Sequence, residues 1–491
     1  MAATSTTSPV HADSQKRLRT NKVGEYIGAS ETQCVNEYKG FNLPNDNFAI
    51  ERISVDSVTP EEFFAKFVCT RTPVILTGYL QDEEFTAPSK WSKTDDRLIE
   101  LAGNTKLTVE RRGDIHDKFG KGIAVEMSFR ELLNLIASGD EMHYLTTQEV
   151  AFEEDGRPDI MAPFIKQLQQ DFPLRPKLMG HLVPQNINMW MGNNKHGSSS
   201  GLHHDQHDNL YILMRGKKRF RLYSPGDADK MYVRGHMTHV HPNGLINYVG
   251  KETTPYGADP AAEREALAAI EKYEAERELA EAEKDVKAGE PGAKARLEAV
   301  EERLEKAIFE VLCADNRDGK DDEKFEDEAF HFEVSEAEGD GESEISELDE
   351  IALDPEEKIE KKTTAKRDVG ETEVAYPVNF SQVDASQFGD GEHTQELQLE
   401  FPKFYLAKVA ICDLEVGEML FLPASWFHEV ESFGSTQGNG HLALNYWYQP
   451  PDQLSPGHFA SPYSSPFWQR DWKQRFASKG ESERTQGGLE S

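Results

Sequence analysis

The feature that most constrains this chain is an interruption. Short strand-forming segments with tight turns fill Asn186 to Tyr223, and a second strand-rich stretch runs from Phe404 to Tyr448. Neither looks able to close a core alone, so a stable fold must bring the two together. Between them lies sequence of another texture. Ala261 to Leu312 is rich in Ala, Glu, Lys and Leu and is split by Gly289-Glu290-Pro291-Gly292, which predicts a helical hairpin or one interrupted surface helix. Asp315 to Lys362 is acidic, its only aromatics being Phe325, Phe330 and Phe332, and is expected to be disordered. The organisation expected is therefore one mainly β domain in two pieces, 46–255 and 375–450, around an acidic insertion at 256–374. A disordered N-terminal tail (1–45) and a polar, flexible C-terminal tail (451–491) flank it.

The 491 residues carry a formal net charge of −34, from 54 basic and 88 acidic side chains. About two-thirds of that charge falls in the insertion. Phosphate backbones and anionic lipid demand a basic footprint, so the balance argues against nucleic acid and membrane and suits a basic protein partner. The four cysteines form no C-x-x-C pair, which points to reduced thiols rather than a disulfide framework or zinc site. Met1 to Lys22 lacks an apolar core of the secretory kind, and no apolar run is of membrane-spanning length. A cytoplasmic or nuclear location is expected.

Local signals place elements before the first strand-rich stretch. Thr59-Pro60-Glu61-Glu62 and Ser128-Phe129-Arg130-Glu131 each read as a capping box opening a helix, the second stopping near Gly139. Pro73 to Gly78 reads as a buried strand ending in a turn, and Met142 to Thr147 as another strand.

The chemistry concentrates at His203-His204-Asp205. In an extended chain the side chains at i and i+2 project to one side, so His203 and Asp205 can bind one ion, and an imidazole–carboxylate set suits a first-row transition metal. The candidate third ligand is His428, delivered by an apolar strand that stops at Pro423 and a short aromatic turn. His204 should face away, while His207 shares the parity of His203 and could substitute in an irregular strand. His236, His239 and His241 form a second cluster, in a loop marked by Pro242-Asn243-Gly244. Next to the motif, Leu210 to Met214 and Lys218 to Tyr223 form a hairpin around Arg215-Gly216-Lys217. Period 2 puts Lys218 on the same face as Phe220 and Leu222. A lysine there is costly unless an anion meets it, which a cosubstrate carboxylate beside the metal would do; the alternative is a side chain that snorkels to solvent.

Together these segments resemble the jumonji-C oxygenase family. The residues that carry the resemblance are Leu202-His203-x-Asp205, Asn209-Leu210, Arg215-Gly216-x-Lys218-Arg219-Phe220, Leu422-Pro423-x-x-Trp426-x-His428 and Leu444-Asn445-Tyr446-Trp447-Tyr448. Asn188-x-Trp190-x-Gly192 looks closest to the lysyl hydroxylases of the family's small hydroxylase branch. The resemblance covers about residues 50–255 and 377–450 and leaves out the insertion and both tails. It implies a double-stranded β-helix, a cupin-like jelly roll with flanking helices, with iron(II) held by His203, Asp205 and His428. It implies that Lys218 binds the distal carboxylate of 2-oxoglutarate, and it matches Asn209, Ser200, Tyr144 and Asn445 to cosubstrate-pocket positions.

The activity implied is hydroxylation of a protein side chain, with lysine the leading target and dioxygen and 2-oxoglutarate as cosubstrates. A histone lysine demethylase or a transfer-RNA hydroxylase would use the same iron centre. The acidic balance weighs against the transfer-RNA reading, although a local basic patch such as Lys217, Lys218, Arg219 and Arg221 would suit nucleic acid. A non-catalytic cupin-like binding protein is the remaining class. Hydroxylase relatives often form homodimers through C-terminal elements, but the polar composition after Pro450 weakens that implication here.

Overall fold

The structure, a computed structural model, describes residues 34–114, 120, 122–152, 157–315, 377–384, 394–435 and 438–486. The disorder expected of residues 1–33 and of most of the acidic stretch, 316–376, falls outside the described residues.

Strands from the two halves of the chain interleave. The larger sheet runs in the order β2 (Arg52–Ser54), β3 (Val74–Thr77), β14 (Glu418–Leu422), β9 (Asp208–Arg215), β16 (His441–Tyr448), β7 (Pro184–Gly192), β6 (His143–Leu145), β4 (Lys106–Arg111) and β5 (Ile123–Ser128). Facing it is a sheet in the order β13 (Ala410–Leu414), β10 (Lys217–Tyr223), β15 (Phe427–Phe433) and β8 (Ser198–Ser199). Thus β9 pairs antiparallel with both β14 and β16, and β10 with both β13 and β15. Each early strand needs two late ones to satisfy its backbone, so the insertion interrupts one β domain. The architecture is a cupin-like jelly roll with helices packed on one side. A small third sheet joins β1 (Val35–Asn36), β11 (Met237–Val240) and β12 (Ile246–Tyr248).

Side-chain alternation builds two cores. Tyr211, Leu213, Phe220, Leu222, Cys412, Leu414 and Leu420 meet between the two sheets. Leu210, Ile212, Met214, Met419, Phe421 and Leu444 point the other way, onto helices that supply Phe63, Phe67, Trp91, Phe129 and Leu132. Every residue of β9 is buried, because this strand is covered on both faces. Each such side chain contributes about 1.5–3 kcal/mol of burial free energy.

Both capping boxes form, at Thr59/Glu62 and Ser128/Glu131. The first helix covers Pro60–Phe63 and continues as a wider π-type turn over Phe64–Val68. Order begins earlier than the sequence suggested: Val35–Asn36 pairs in parallel with β11, and Leu43 is buried.

Of the two readings of Ala261 to Leu312, the structure takes the hairpin. Helix Pro260–Ala288 is capped by Asp259, whose carboxylate accepts from the Ala261 and Ala262 amides, and ends at Gly289 with φ of 75°. Helix Ala293–Asp315 returns beside it. The buried apolar positions are seven apart on both, Ala268, Ala275 and Ala282 facing Ala293, Val300 and Ala307. Small residues at heptad spacing let the helices approach closely. Arg303 reaches across to Glu271 and Glu278, and Arg296 to Asp285.

The expected flexible tail after Pro450 is corrected in part. Helix Phe467–Gln486 packs Phe467, Trp468, Trp472 and Phe476 against the helix-side core. The Trp468 indole donates to the Tyr256 carbonyl, and Asp471 pairs with Arg157 and Arg475. Polar composition hid four aromatics that share one side of the helix.

Candidate active site

The metal-binding candidates meet at the open end of the sandwich. His203 and His428 lie opposite each other across an antiparallel bridge, each amide donating to the other's carbonyl at 3.0 and 2.7 Å. Asp205 lies just beyond the bridge, held where its carbonyl accepts the Ser425 amide at 2.7 Å. The strand expected through His203 and Asp205 is therefore met only at His203, by isolated bridges to His428 and Phe380. The side chains still converge: Nε2 of His203 is 3.9 Å and Nε2 of His428 3.6 Å from the Asp205 carboxylate, and the three donors lie within 4.8 Å of one another. Among the described residues this is the one group of three or more such side chains able to hold a metal.

The ring tautomers suit a metal. Nδ1 of His203 lies 3.0 Å from the Gly201 carbonyl, and Nδ1 of His428 lies 2.8 Å from the Trp426 carbonyl. A carbonyl only accepts, so both Nδ1 atoms carry a proton and both Nε2 atoms are the ring positions left facing Asp205. Burial, with the adjacent His428 ring, holds the His203 imidazole down at about 4, so it is neutral near pH 7. The donor set thus fits a divalent first-row ion.

One cavity runs inward from the triad. Its walls include Tyr144, Ser200, Asn209, Lys218, Ser432 and Phe380. Lys218 projects inward as strand parity requires, is buried, and donates from Nζ to the Ser432 hydroxyl at 2.6 Å. Its Nζ also lies 5.8 Å from the Tyr144 ring centroid. No carboxylate among the described residues pairs with it, and burial lowers its ammonium to about 7. Ser432 was not singled out in the sequence, although it shares the parity of His428 on β15, as does Val430 on the same cavity wall. His441 is also new: it is fully buried beside Tyr144, and neither ring nitrogen has a hydrogen-bond partner among the described residues.

One candidate stands differently from expectation, and a second lines the cavity with its hydroxyl already engaged. Asn445 does not line the cavity; it is buried behind the wall, accepting from the Trp190 indole at 2.8 Å and donating to Asn209 Oδ1 at 3.1 Å. That chain orients the Asn209 amide, since Oδ1 is the atom engaged and Nδ2 is left as the donor. Ser200 reaches the cavity, but its hydroxyl accepts the Val430 amide and donates to the Gly201 carbonyl. Asn209 and Tyr144 line the cavity directly.

The neighbouring histidines are accounted for. His204 points away and hydrogen-bonds the Tyr248 hydroxyl at 2.6 Å, with burial holding its ring down at about 3. His207 stacks on Trp447. His239 pairs with Glu37 and His241 with Asn247.

The largest omission from the sequence reading is a short strap just after the insertion. Phe380 lies flat on the His203 ring, centroids 4.8 Å apart at 10°, and bridges to it through the backbone. Ser381 donates its amide to Leu202, and Asn379 donates its side-chain amide to the His204 carbonyl. Pro377, Asn379 and Phe380 all line the cavity. The strap that follows the insertion is thus part of the wall over the metal-binding candidates.

The basic run on β10 is not a basic patch. Lys218 is inside; Lys217 pairs with Asp413 and Glu415, Arg219 with Asp413, and Arg221 with Glu429 and Glu431. Among the described residues, no helix is long and apolar enough to cross a membrane.

Residues 60–454 match the family described as "Cupin-like domain". The chain is 32% identical over 445 residues to JmjC domain-containing protein 4 of Schizosaccharomyces pombe, spanning 87% of this chain and 89% of that relative. It is 26% identical over 176 residues to the human bifunctional peptidase and (3S)-lysyl hydroxylase JMJD7, covering 34% of this chain and 52% of that protein. Human tRNA wybutosine-synthesizing protein 5 is 28% identical over 204 residues, 38% of this chain and 59% of that one. Matched along most of its length and carrying the His-x-Asp…His constellation at the mouth of its jelly roll, the chain belongs to the cupin-like JmjC family.

Proposed function

We propose that this protein is an iron(II)- and 2-oxoglutarate-dependent dioxygenase that hydroxylates a protein side chain, with lysine as the target. The observation that carries the reading is that the triad and the unpaired Lys218 ammonium open into one cavity. A metal at one end and a buried cation at the other suit a small dicarboxylate that chelates with one end and forms a charge-assisted bond with the other.

In this reading His203, Asp205 and His428 hold the iron. Lys218 and Ser432 take the distal carboxylate, with Tyr144 beside them, and Asn209 offers an amide donor oriented by Asn445. Iron with 2-oxoglutarate supplies the oxidising chemistry that puts one atom of dioxygen into a C–H bond, leaving succinate and carbon dioxide. The chain's own contribution is preorganisation. Backbone carbonyls lock both imidazole tautomers, and Phe380, Tyr211, Phe220 and Val430 keep the pocket largely apolar. Paired side chains on β10 weigh against a polyanionic substrate, and the net charge of −34 suits a basic protein. One of the matched relatives is a named lysyl hydroxylase.

Anaerobic thermal unfolding with manganese(II), with and without 2-oxoglutarate, tests the site. The wild type should gain stability from the metal and again from 2-oxoglutarate, by about 2.7 kcal/mol at a hundredfold excess over each dissociation constant. His203→Ala should show neither gain. A folded wild type that ignores both ligands would remove the oxygenase reading. With the site established, a one-oxygen mass gain on a lysyl residue of a basic partner supports hydroxylation, whereas loss of a methyl group would reassign the chemistry.

A further inference from the structure

The turn that delivers His428 contains no regular structure of its own. Pro423 to Trp426 connect β14 to β15, and Ser425 sits in the left-handed region at φ of 59°. Something outside the turn must hold it, because a loop free to sample other conformations would not keep a ligand in place. The structure shows what that is. Arg71 and Asp208 form an ion pair with both side chains completely buried. Arg71 Nη1 donates to Asp208 Oδ2 at 2.8 Å, and Nη2 donates to Oδ1, so the pair is bidentate.

The remaining capacity of the pair goes to the turn and its surroundings. Asp208 Oδ1 accepts the Ala424 amide at 2.8 Å, and the Arg71 carbonyl accepts the Trp426 indole at 3.2 Å. Arg71 Nε donates to the Asn243 carbonyl at 2.9 Å. Asn243 in turn donates to the carbonyls of Pro255 and Pro451, at the start of the insertion and just past β16. Arg71 is itself strained, with φ of 56°, in the turn that follows the π-type turn Phe64–Val68. A left-handed arginine that carries a fully buried charge costs free energy twice over, and such features persist where the surroundings over-determine them. Asp208 opens β9, three residues after Asp205, so the pair spans the metal-binding segments of both halves of the chain.

We propose that Arg71 and Asp208 are positioning residues that fix the 423–426 turn, and so the His428 ligand, before any metal arrives. The inference rests on the metal reading of the triad. Neither residue lines the cavity, so their effect passes through the turn. The pair could alternatively be only a stabiliser of the fold, and the two roles separate experimentally. Breaking a buried pair on one side leaves an uncompensated charge, whereas replacing both partners by apolar groups is often neutral for stability.

The test compares wild type, Arg71→Met and the double variant Arg71→Met/Asp208→Leu. Two quantities are read: the unfolding temperature without metal, and the manganese(II) dissociation constant from the paramagnetic resonance signal of the free ion. Arg71→Met should lose both stability and affinity. The double variant should regain most of the metal-free unfolding temperature yet bind manganese(II) about 10- to 100-fold more weakly, the range seen when outer-shell partners of metal ligands are removed. A double variant that binds within about twofold of wild type overturns the proposal, on the twofold to threefold scale of context effects. Should neither variant fold, amide exchange of metal-free wild type decides. Slow exchange at Ala424, independent of added zinc(II), supports a turn preset by the pair; slow exchange that appears only with zinc(II) overturns it. Wild type that binds no metal sinks the triad reading instead, so the two failures are distinguishable.

Discussion

Strand β10 presents cations on both faces and treats them in opposite ways. On the outer face Lys217, Arg219 and Arg221 each lie within an ion pair's reach of carboxylates on β13 and β15 or the turn after β13. On the inner face Lys218 is as buried as its neighbours Phe220 and Leu222 and has a serine hydroxyl for company. The outer charges are satisfied within the protein and leave no footprint for an external anion. The inner one is desolvated without a countercharge among the described residues, an arrangement that costs stability and that a ligand carboxylate would relieve. Charge count along a strand therefore says little about function; which face a charge occupies says much more.

Lys218→Met removes the inner charge while keeping its volume. It should weaken 2-oxoglutarate binding by about 10- to 100-fold, the loss expected for a hydrogen bond to a charged group. Calorimetric titration of the manganese(II) protein measures this, and unchanged affinity would mean that the cosubstrate lies elsewhere. The same variant should be more stable than wild type below pH 7, by about 2 kcal/mol once relaxation is allowed for. The sign follows from linkage. Burial lowers the folded-state ammonium to about 7, while the unfolded chain keeps the ordinary value near 10.4. The cost is complete below pH 7 and fades between 7 and about 10.4, so the stability advantage of Lys218→Met should fade over that window.

Cosubstrate binding should carry the same signature. Burial pushes the Tyr144 phenol up and the His441 imidazole down, so both stay neutral and Lys218 is the group that titrates. Above pH 7 a bound dicarboxylate must recruit a proton to Lys218, and affinity should fall by up to about tenfold per unit. Titrations at pH 8 in buffers of different ionisation enthalpy should reveal proton uptake; none would show that Lys218 is already charged. Ser432→Ala, which removes the partner of Lys218, should weaken 2-oxoglutarate binding several-fold, about 1 kcal/mol. Arg219→Met gives the smallest effect. It should leave 2-oxoglutarate affinity unchanged and shift stability by under about 1 kcal/mol, as for exposed pairs. An Arg219 effect as large as that of Lys218 would erase the distinction between the two faces.

Much of the site was legible because its signals are local. His203 and Asp205 are two residues apart, the inward direction of Lys218 follows from counting along one strand, and both capping boxes are four-residue patterns. Misreadings occurred where local texture and tertiary role part company. The segment after Pro450 is polar on average, yet its aromatics sit where one side of a helix can bury them. Asn445 fits a pocket motif, but its neighbours across the sheet turn it into a support for Asn209 rather than a wall. Ser432 and Val430 could have been found by extending the His428 parity along β15; nothing in the sequence around Phe380 marks it as a cover for His203.

The sequence by itself determined the family resemblance, the identity of the three metal-binding candidates, the facing of β10 and the presence of an insertion. Period-2 alternation, capping and ligand chemistry are properties of a few adjacent residues, and they survive whatever the rest of the chain does. Only the tertiary structure decided that the strap after the insertion roofs His203, that Ser432 meets Lys218, and that Arg71 reaches Asp208 beneath the His428 turn. Each of those contacts joins positions far apart in the chain. Their meeting depends on the registers of β9, β14 and β15 within the interleaved sheets, a quantity no single segment encodes.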